Sequence, residues 1–370
     1  MATRILFCTG VFPPLLGGPA TVVSRLAHEL TAQGYLCTVL TSGPRQRSAL
    51  PFSVSRVSLR IPQPLRGLLI LLKTLRAARA ADVIYAFDTY TSGYAAALAA
   101  QFFKKPLVLR FTGDAAWEQA YTLKETSDDI LAYQSRAPRT KALARRQFIL
   151  SQADRVVTDC EFLTTVLAAM RVPQEKIRVI NNAIDPHEQA APDSDKIVCM
   201  ARLVSWKGIE AVINALPAVR ASVPDATLVI AGTGPEEAHL RDVAQKTASK
   251  HITFTGAIHG VEKENMLRSA GVFILNTFYE GMSNALLEAM SYGLPIIATP
   301  AGANTELIQN EHSGIIISYN DQEAIEQSLI DLLKNKDRAR QYGASAHEAS
   351  KRYSWERLVQ KNKKVIAELV

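Results

Sequence analysis

The chain predicts an α/β fold built from two doubly wound parallel sheets, and three observations lead there. Short apolar runs alternate with helical patterns along the whole sequence. The runs are apolar almost throughout rather than alternating, as in strands covered on both faces. The series stops at a polar, Pro-containing stretch, DPHEQAAPDSD, and then starts again. At 370 residues the chain is also too long for one ordinary core.

The elements follow in order. Strand-like runs of the first series are RILFCTG, CTVLTSG, SVSRVSLRI, DVIYAFD, PLVLRFTG, RVVTDC and IRVINN. Helical segments such as TVVSRLAHELTAQG and LLILLKTLRAARAAD lie between most of them. The second series is KIVCMARL, ATLVIAG, ITFTGA, GVFILNT, PIIATP and SGIIIS. The expected domains are residues 1–185 and 190–350. The tail, RYSWERLVQKNKKVIAELV, predicts a last helix over 354–370. Lacking a strand of its own, it is expected to cross back to the first domain.

Composition narrows the class. Apolar runs such as Leu68 to Leu72 are far short of the roughly 20 residues of a membrane span. The opening MATRILFCTG lacks a signal-peptide core, and the four scattered cysteines form no C-x-x-C pair. Both features point to a cytoplasmic protein with reduced, buried thiols. Residues 1–180 carry 23 Lys and Arg against 12 Asp and Glu, the remainder 19 against 23. A basic first half calls for an anionic partner, either a membrane surface or an acidic substrate. Nucleic acid is set aside, since no recognised module or aromatic-basic stripe accompanies the charge.

Ligands of open parallel sheets gather at the carboxyl ends of strands. Three loops of the second series qualify. In ARLVSWKG, Arg202 can grip a diphosphate bidentately and Lys207 can act as a mobile point charge; two solvated surface cations are the alternative. In AGTGPE, Gly232 and Gly234 allow close backbone approach, but G-x-G-P is also an ordinary strand-to-helix turn. In FYEGMS, Ser283 caps a helix running to Tyr292, which Gly293 and Pro295 end. Glu280 stands beside the free amides of Gly281, Met282, Ser283 and Asn284, and Glu288 lies about 8 Å up the helix. Two carboxylates flanking a helix mouth suit hydroxyls at both ends and phosphates between. A sugar nucleotide has that order of groups.

EGMSNALLEAMSYGLPIIAT resembles the E-x(7)-E signature of the retaining glycosyltransferases of family 4. FPPLLGGPA at Phe12–Ala20 resembles that family's N-terminal glycine loop, and NNAID at Asn181–Asp185 its domain-joining N-G-V-D. ARLVSWKG and AGTGP follow in the family's order, so the likeness runs over nearly the whole chain. It implies the GT-B fold, two Rossmann-like domains facing across a cleft, and a UDP- or GDP-sugar donor as substrate with no further cofactor. Glu280 would bind donor-sugar hydroxyls with the amides of Gly281 to Ser283. Arg202 and Lys207 would neutralise the diphosphate, Glu288 would hold the ribose, and Gly17 and Gly18 would approach the phosphates from the first domain. No metal is implied, and no His/Cys cluster at ligand spacing argues for one.

Two positions depart from the family pattern. Thr112-Gly113-Asp114 stands where a histidine is common; Asp114 either takes over that polar contact or caps the next helix. Ala183 replaces a glycine of the junction. The implied chemistry is attack of an acceptor hydroxyl on the face that the diphosphate leaves, with domain closure excluding water. The competing readings are a nucleotide-sugar epimerase or hydrolase of the same fold, and a non-catalytic sugar-nucleotide-binding protein.

One segment bears on the acceptor. Leu65 to Arg79 mixes an apolar run with Arg66, Lys73, Arg76 and Arg79. It is expected to be a crossover helix with its apolar face on the sheet and its cations in water. Lys141, Arg145 and Arg146 could add to the same charge. These cations lead to the expectation of peripheral contact with an anionic membrane and a lipid-linked or glycan acceptor.

Overall fold

The structure is a computed structural model that describes residues 2–15, 17–44, 49–136, 140–190 and 193–370. All thirteen apolar runs contain a strand. The first seven are β1 Arg4–Thr9, β2 Leu36–Ser42, β3 Ser53–Val57, β4 Val83–Ala86, β5 Leu107–Phe111, β6 Arg155–Thr158 and β7 Ile177–Val179. They form one parallel sheet in the order β3-β2-β1-β4-β5-β6-β7. The other six are β8 Lys196–Met200, β9 Thr227–Ala231, β10 Ile252–Gly256, β11 Val272–Leu275, β12 Ile296–Ala298 and β13 Ile315–Ile316. Their sheet is also parallel, ordered β10-β9-β8-β11-β12-β13.

The strand order reverses between β1 and β4 in one sheet and between β8 and β11 in the other. At such switch points neighbouring loops diverge to opposite faces and leave a crevice for ligands. The central strands are buried on both faces; β4, β5 and β11 are wholly buried. That burial is why they read as continuous apolar runs.

The chain divides into two compact units, residues 1–182 with 356–370, and residues 183–355. The tail forms the helix Trp355–Ala367, whose residues from Glu356 onward belong to the first unit. Its Leu358, Val359, Val365 and Ile366 are buried. Within that core Asn362 Oδ1 accepts from the Tyr85 hydroxyl at 2.6 Å. Burial pushes that hydroxyl up to about 12, so it stays a donor. Beyond the helix, Glu368 pairs with Arg155 and Arg178 at 2.7 and 2.9 Å. The four cysteines are buried and none is in a disulfide.

The segment 65–79 departs from expectation. It lies in the helix Gln63–Ala78, but the buried residues there are Ile70, Thr74 and Ala78. This helix packs on the helix Thr91–Phe103, whose buried face is almost all alanine, glycine and serine. Such close approach suits small residues, so the leucines turn outward: Leu65, Leu68 and Leu72 are each more than half exposed. Arg146 also departs, being buried against Asp114 rather than facing water.

Candidate functional site

In the second unit the loops after β8 and β11 leave the switch point side by side. The β8 loop ends in a turn at Ser205–Lys207, then Gly208 opens the helix Ile209–Ser222. Gly208 has φ 51°, and a Cβ there would lie 2.5 Å from both Asn276 Nδ2 and Asn320 Oδ1. Asn276, the first residue after β11, is fully buried and donates to Gly208 O at 2.8 Å and to Asn320 Oδ1 at 2.8 Å. One buried amide thus fixes the turn that carries Lys207.

The β11 loop is held equally firmly. Phe278 N–H and the Thr277 hydroxyl both donate to Trp206 O, at 2.8 and 3.2 Å. Thr299 Oγ1 donates to Thr277 O at 2.6 Å, and Ala303 N–H to Gly281 O at 3.0 Å. Ser283 then caps the helix Asn284–Ser291, its hydroxyl accepting from Leu286 N–H at 3.2 Å. Gly281, Met282 and Ser283 are buried, whereas Glu280, Asn284 and Glu288 keep partial exposure. Residues four apart lie on one helix face, so Asn284 and Glu288 share a polar edge, with Glu280 in the loop ahead of the cap.

Lysines meet both carboxylates. Lys207, almost buried, forms an ion pair with Glu280. Lys263, on the helix Gly260–Arg268, places Nζ 2.8 Å from Glu288 Oε2. Arg202 is exposed and lies over the buried Trp206 ring, 5.3 Å from its centroid. The Cys199 thiol beneath the loop is pushed up to about 12 by burial, so it is no nucleophile.

Gly232 and Gly234 belong to the neighbouring β9 loop. A Cβ on Gly232 would sit 1.9 Å from Ala201 O, and one on Gly234 2.1 Å from Leu203 O. Leu203 N–H donates to Thr233 O at 3.0 Å. Both glycines therefore let this loop brace the Arg202 loop from behind. Among the described residues no group of three or more His, Cys, Asp or Glu side chains is placed to hold a metal.

The remaining expected residues lie in the first unit. Gly17 and Gly18 begin the helix Gly18–Ala32 after the β1 loop, with Gly17 at φ 145°. Asp88, after β4, ties that switch point: its carboxylate accepts from the N–H groups of Gly10, Tyr90 and Gly93 at 2.8 to 3.0 Å. Asp114 takes the capping alternative. Fully buried, it caps the helix Ala115–Thr122 through Ala116 N–H, accepts from Gln134 and pairs with Arg146. Its carboxylate is therefore committed to the fold.

Sequence reasoning missed Asn276, Lys263 and Asp88. Asn276 follows β11 directly and Asp88 lies two residues past β4, positions that could have marked them. Lys263 sits in a polar helical run, VEKEN, with no local signal.

The family described as Glycosyltransferase Family 4 matches residues 16–188, and Glycosyl transferases group 1 matches residues 181–349. A GDP-mannose-dependent alpha-(1-6)-phosphatidylinositol monomannoside mannosyltransferase of Mycobacterium tuberculosis is 32% identical over 174 residues, 45% of this chain and 45% of the relative. A sulfoquinovosyl transferase of Arabidopsis thaliana is 27% identical over 167 residues, 44% of this chain and 31% of the relative. The matched part thus spans under half the length of these relatives. Among solved structures, Anabaena HepE in complex with UDP-glucose aligns at TM-score 0.79 and 17% identity, covering 99% of this chain and 100% of that one. Sucrose-phosphate synthase of Thermosynechococcus elongatus aligns at TM-score 0.79 and 19% identity, covering 100% and 99%. With one family on each unit and the two parallel sheets that these structures share, the chain belongs to the group 1 and family 4 glycosyltransferases of GT-B fold.

Proposed function

We propose that this chain is a retaining hexosyltransferase that moves a sugar from a nucleoside diphosphate to a hydroxyl of a lipid-linked or glycan acceptor. The observation that carries the reading is the Lys207–Glu280 ion pair beside a capped helix mouth, with Glu288 just over one turn into the helix that follows. That arrangement offers a cation for the diphosphate and a carboxylate for hydroxyls on either side of it. In this reading Glu280 orients the donor sugar, Glu288 holds the ribose, and Arg202 joins Lys207 on the diphosphate.

The reaction breaks the bond from the sugar's anomeric carbon to the phosphate oxygen. It forms a bond from that carbon to the acceptor oxygen on the same face, and the acceptor's proton passes to the departing phosphate oxygen. Charge gathers on the diphosphate as the first bond lengthens, where Lys207, Arg202 and the helix-mouth amides stabilise it. The relatives set the donor candidates, since one is named for GDP-mannose and a fold neighbour holds UDP-glucose. The acceptor reading rests on relatives named for phosphatidylinositol mannosides and on the basic first half. With it goes peripheral contact with an anionic membrane from the cytoplasmic side.

A thermal-shift panel of UDP-, GDP- and ADP-sugars identifies the donor, because a ligand of the native state raises its stability by mass action. Calorimetry with that donor on Lys207→Ala and Glu288→Ala should show each weakened by about 1.5–3 kcal/mol, the worth of a charged hydrogen bond. Unchanged affinity in both variants would sink the assignment.

A further inference from the structure

The helix Gln63–Ala78 keeps its leucines in water. On its buried face lie Ile70, Thr74 and Ala78, with Gly67 close to Thr91 of the next helix. At 100° per residue the opposite face carries Leu65, Leu68 and Leu72, with Arg76 and Arg79 beyond them. Leu59 is nearly half exposed just ahead of the helix, and Arg66 donates to its carbonyl at 3.1 Å. Tyr90, at the start of the neighbouring helix Thr91–Phe103, is more than half exposed as well. Scattered exposed apolar residues are ordinary, but an aligned row beside cations marks an interaction surface.

The geometry points to this outward face as a membrane-docking surface that inserts Leu65, Leu68 and Leu72 into an anionic lipid layer. It deepens the lipid-linked acceptor reading above by naming the element that meets the lipid. Charge selects the occupant. Between Glu29 and Asp82 the sequence has no Asp or Glu and eight Lys and Arg. A second copy of the chain would set these cations against one another across a two-fold contact. An anionic bilayer accepts both parts, the leucines at acyl-chain level and the arginines reaching up to phosphates. Lys73 is engaged by Arg56 O at 2.8 Å, so the outward cations that remain are Arg76 and Arg79. No helix among the described residues is long and apolar enough to cross a membrane, so contact through helices is from the surface.

Position adds to the argument. The helix follows β3, so its leucine-bearing end lies toward the carboxyl ends of the strands, where the β1 loop and Asp88 also lie. A surface anchored there holds the bilayer near the ligand edge of this sheet, within reach of a headgroup hydroxyl.

The test is co-sedimentation of the full chain with phosphatidylcholine vesicles, with and without phosphatidylglycerol, at low and high salt. Wild type should bind the anionic vesicles and retain part of that binding at high salt. Leu65→Gln/Leu68→Gln/Leu72→Gln should lose at least tenfold in partitioning and lose the salt-resistant part entirely. Arg76→Gln/Arg79→Gln should lose the preference for anionic lipid. Both variants should keep the wild-type melting temperature and nucleotide-sugar binding, which separates this surface from the donor site. Wild type remaining in the supernatant, or the leucine variant binding like wild type, overturns the inference. So does a wild-type dimer in sedimentation velocity that the leucine variant abolishes, because a second copy is then the occupant. Failure of every nucleotide sugar to bind would instead strike the donor reading and leave the vesicle result standing.

Discussion

Glu280→Gln separates the two jobs assigned to the site. Lys207 is paired with Glu280, the side chains being 10% and 18% exposed. A diphosphate must draw Lys207 out of that pair, so Glu280 opposes phosphate binding even as it serves the sugar. Glutamine keeps the shape and still accepts a hydrogen bond, but gives up the charge. A charged hydrogen bond is worth about 1.5–3 kcal/mol, and partial exposure favours the lower end. The nucleoside diphosphate alone should then bind about tenfold tighter, the equivalent of roughly 1.4 kcal/mol. The nucleotide sugar should gain little or nothing, since its hydroxyls lose their carboxylate, and turnover should fall at least 100-fold. Calorimetry with the diphosphate and the full donor, beside steady-state turnover, reads all three. A diphosphate that binds tenfold more weakly to the variant would refute the competition argument.

Lys207→Ala should lower kcat by more than it weakens donor binding, whereas Lys263→Met should weaken binding and spare kcat; an equal split in both would contradict these roles. Transfer should survive excess EDTA, because Arg202, Lys207 and helix amides serve the diphosphate; loss restored by magnesium or manganese would overturn this. Asp114→Ala removes a cap worth about 1 kcal/mol and strands a buried arginine, a change that typically costs about 3–5 kcal/mol, so the melting temperature should drop sharply. Hydrogen bonds from Arg178 and then Arg155 hold the Glu368 carboxyl below the usual glutamate range. The stability this gives is present above the unfolded value, about 4.3, and is lost as pH falls through the folded one; Glu368→Gln should flatten that acid-side slope.

The central strands were legible because strands covered on both faces leave nearly uninterrupted apolar runs, as in VIYA and VFIL. The loops proposed to hold the donor were marked for a related reason: Arg202, Lys207 and Glu280 sit where strand ends and helix starts punctuate the sequence, and Glu288 lies one turn beyond. What stayed hidden depends on partners far away in the chain. Lys263 reaches Glu288 across two helices, and Asn276 acts on Gly208 from 68 residues away. Outward leucines at Leu65, Leu68 and Leu72 were hidden for a further reason. Periodicity shows that a helix has faces, but the small residues of its neighbour decide which face goes inward. The capping role of Asp114 was one of two readings, and its buried partner Arg146 lies 32 positions on.

The pairing of both donor carboxylates with lysines follows from the cost of charge away from water. Four bare charges in a partly buried site would each carry a desolvation penalty; as Lys207–Glu280 and Lys263–Glu288 they offset one another. Under the proposed assignment, donor binding is an exchange of partners: Lys207 leaves a carboxylate for a phosphate, and Glu280 leaves an ammonium for hydroxyls. Exchanges of this kind contribute modestly to ground-state affinity, because each new contact replaces an old one. The balance changes as the anomeric bond lengthens and negative charge builds on the leaving diphosphate. Lys207 gains from that charge while Glu280, facing hydroxyls, loses nothing. An interaction that strengthens only toward the transition state raises the rate rather than the affinity. In the proposed mechanism the lysine–carboxylate pairs therefore let a handful of strong charges favour the chemical step over tight donor binding.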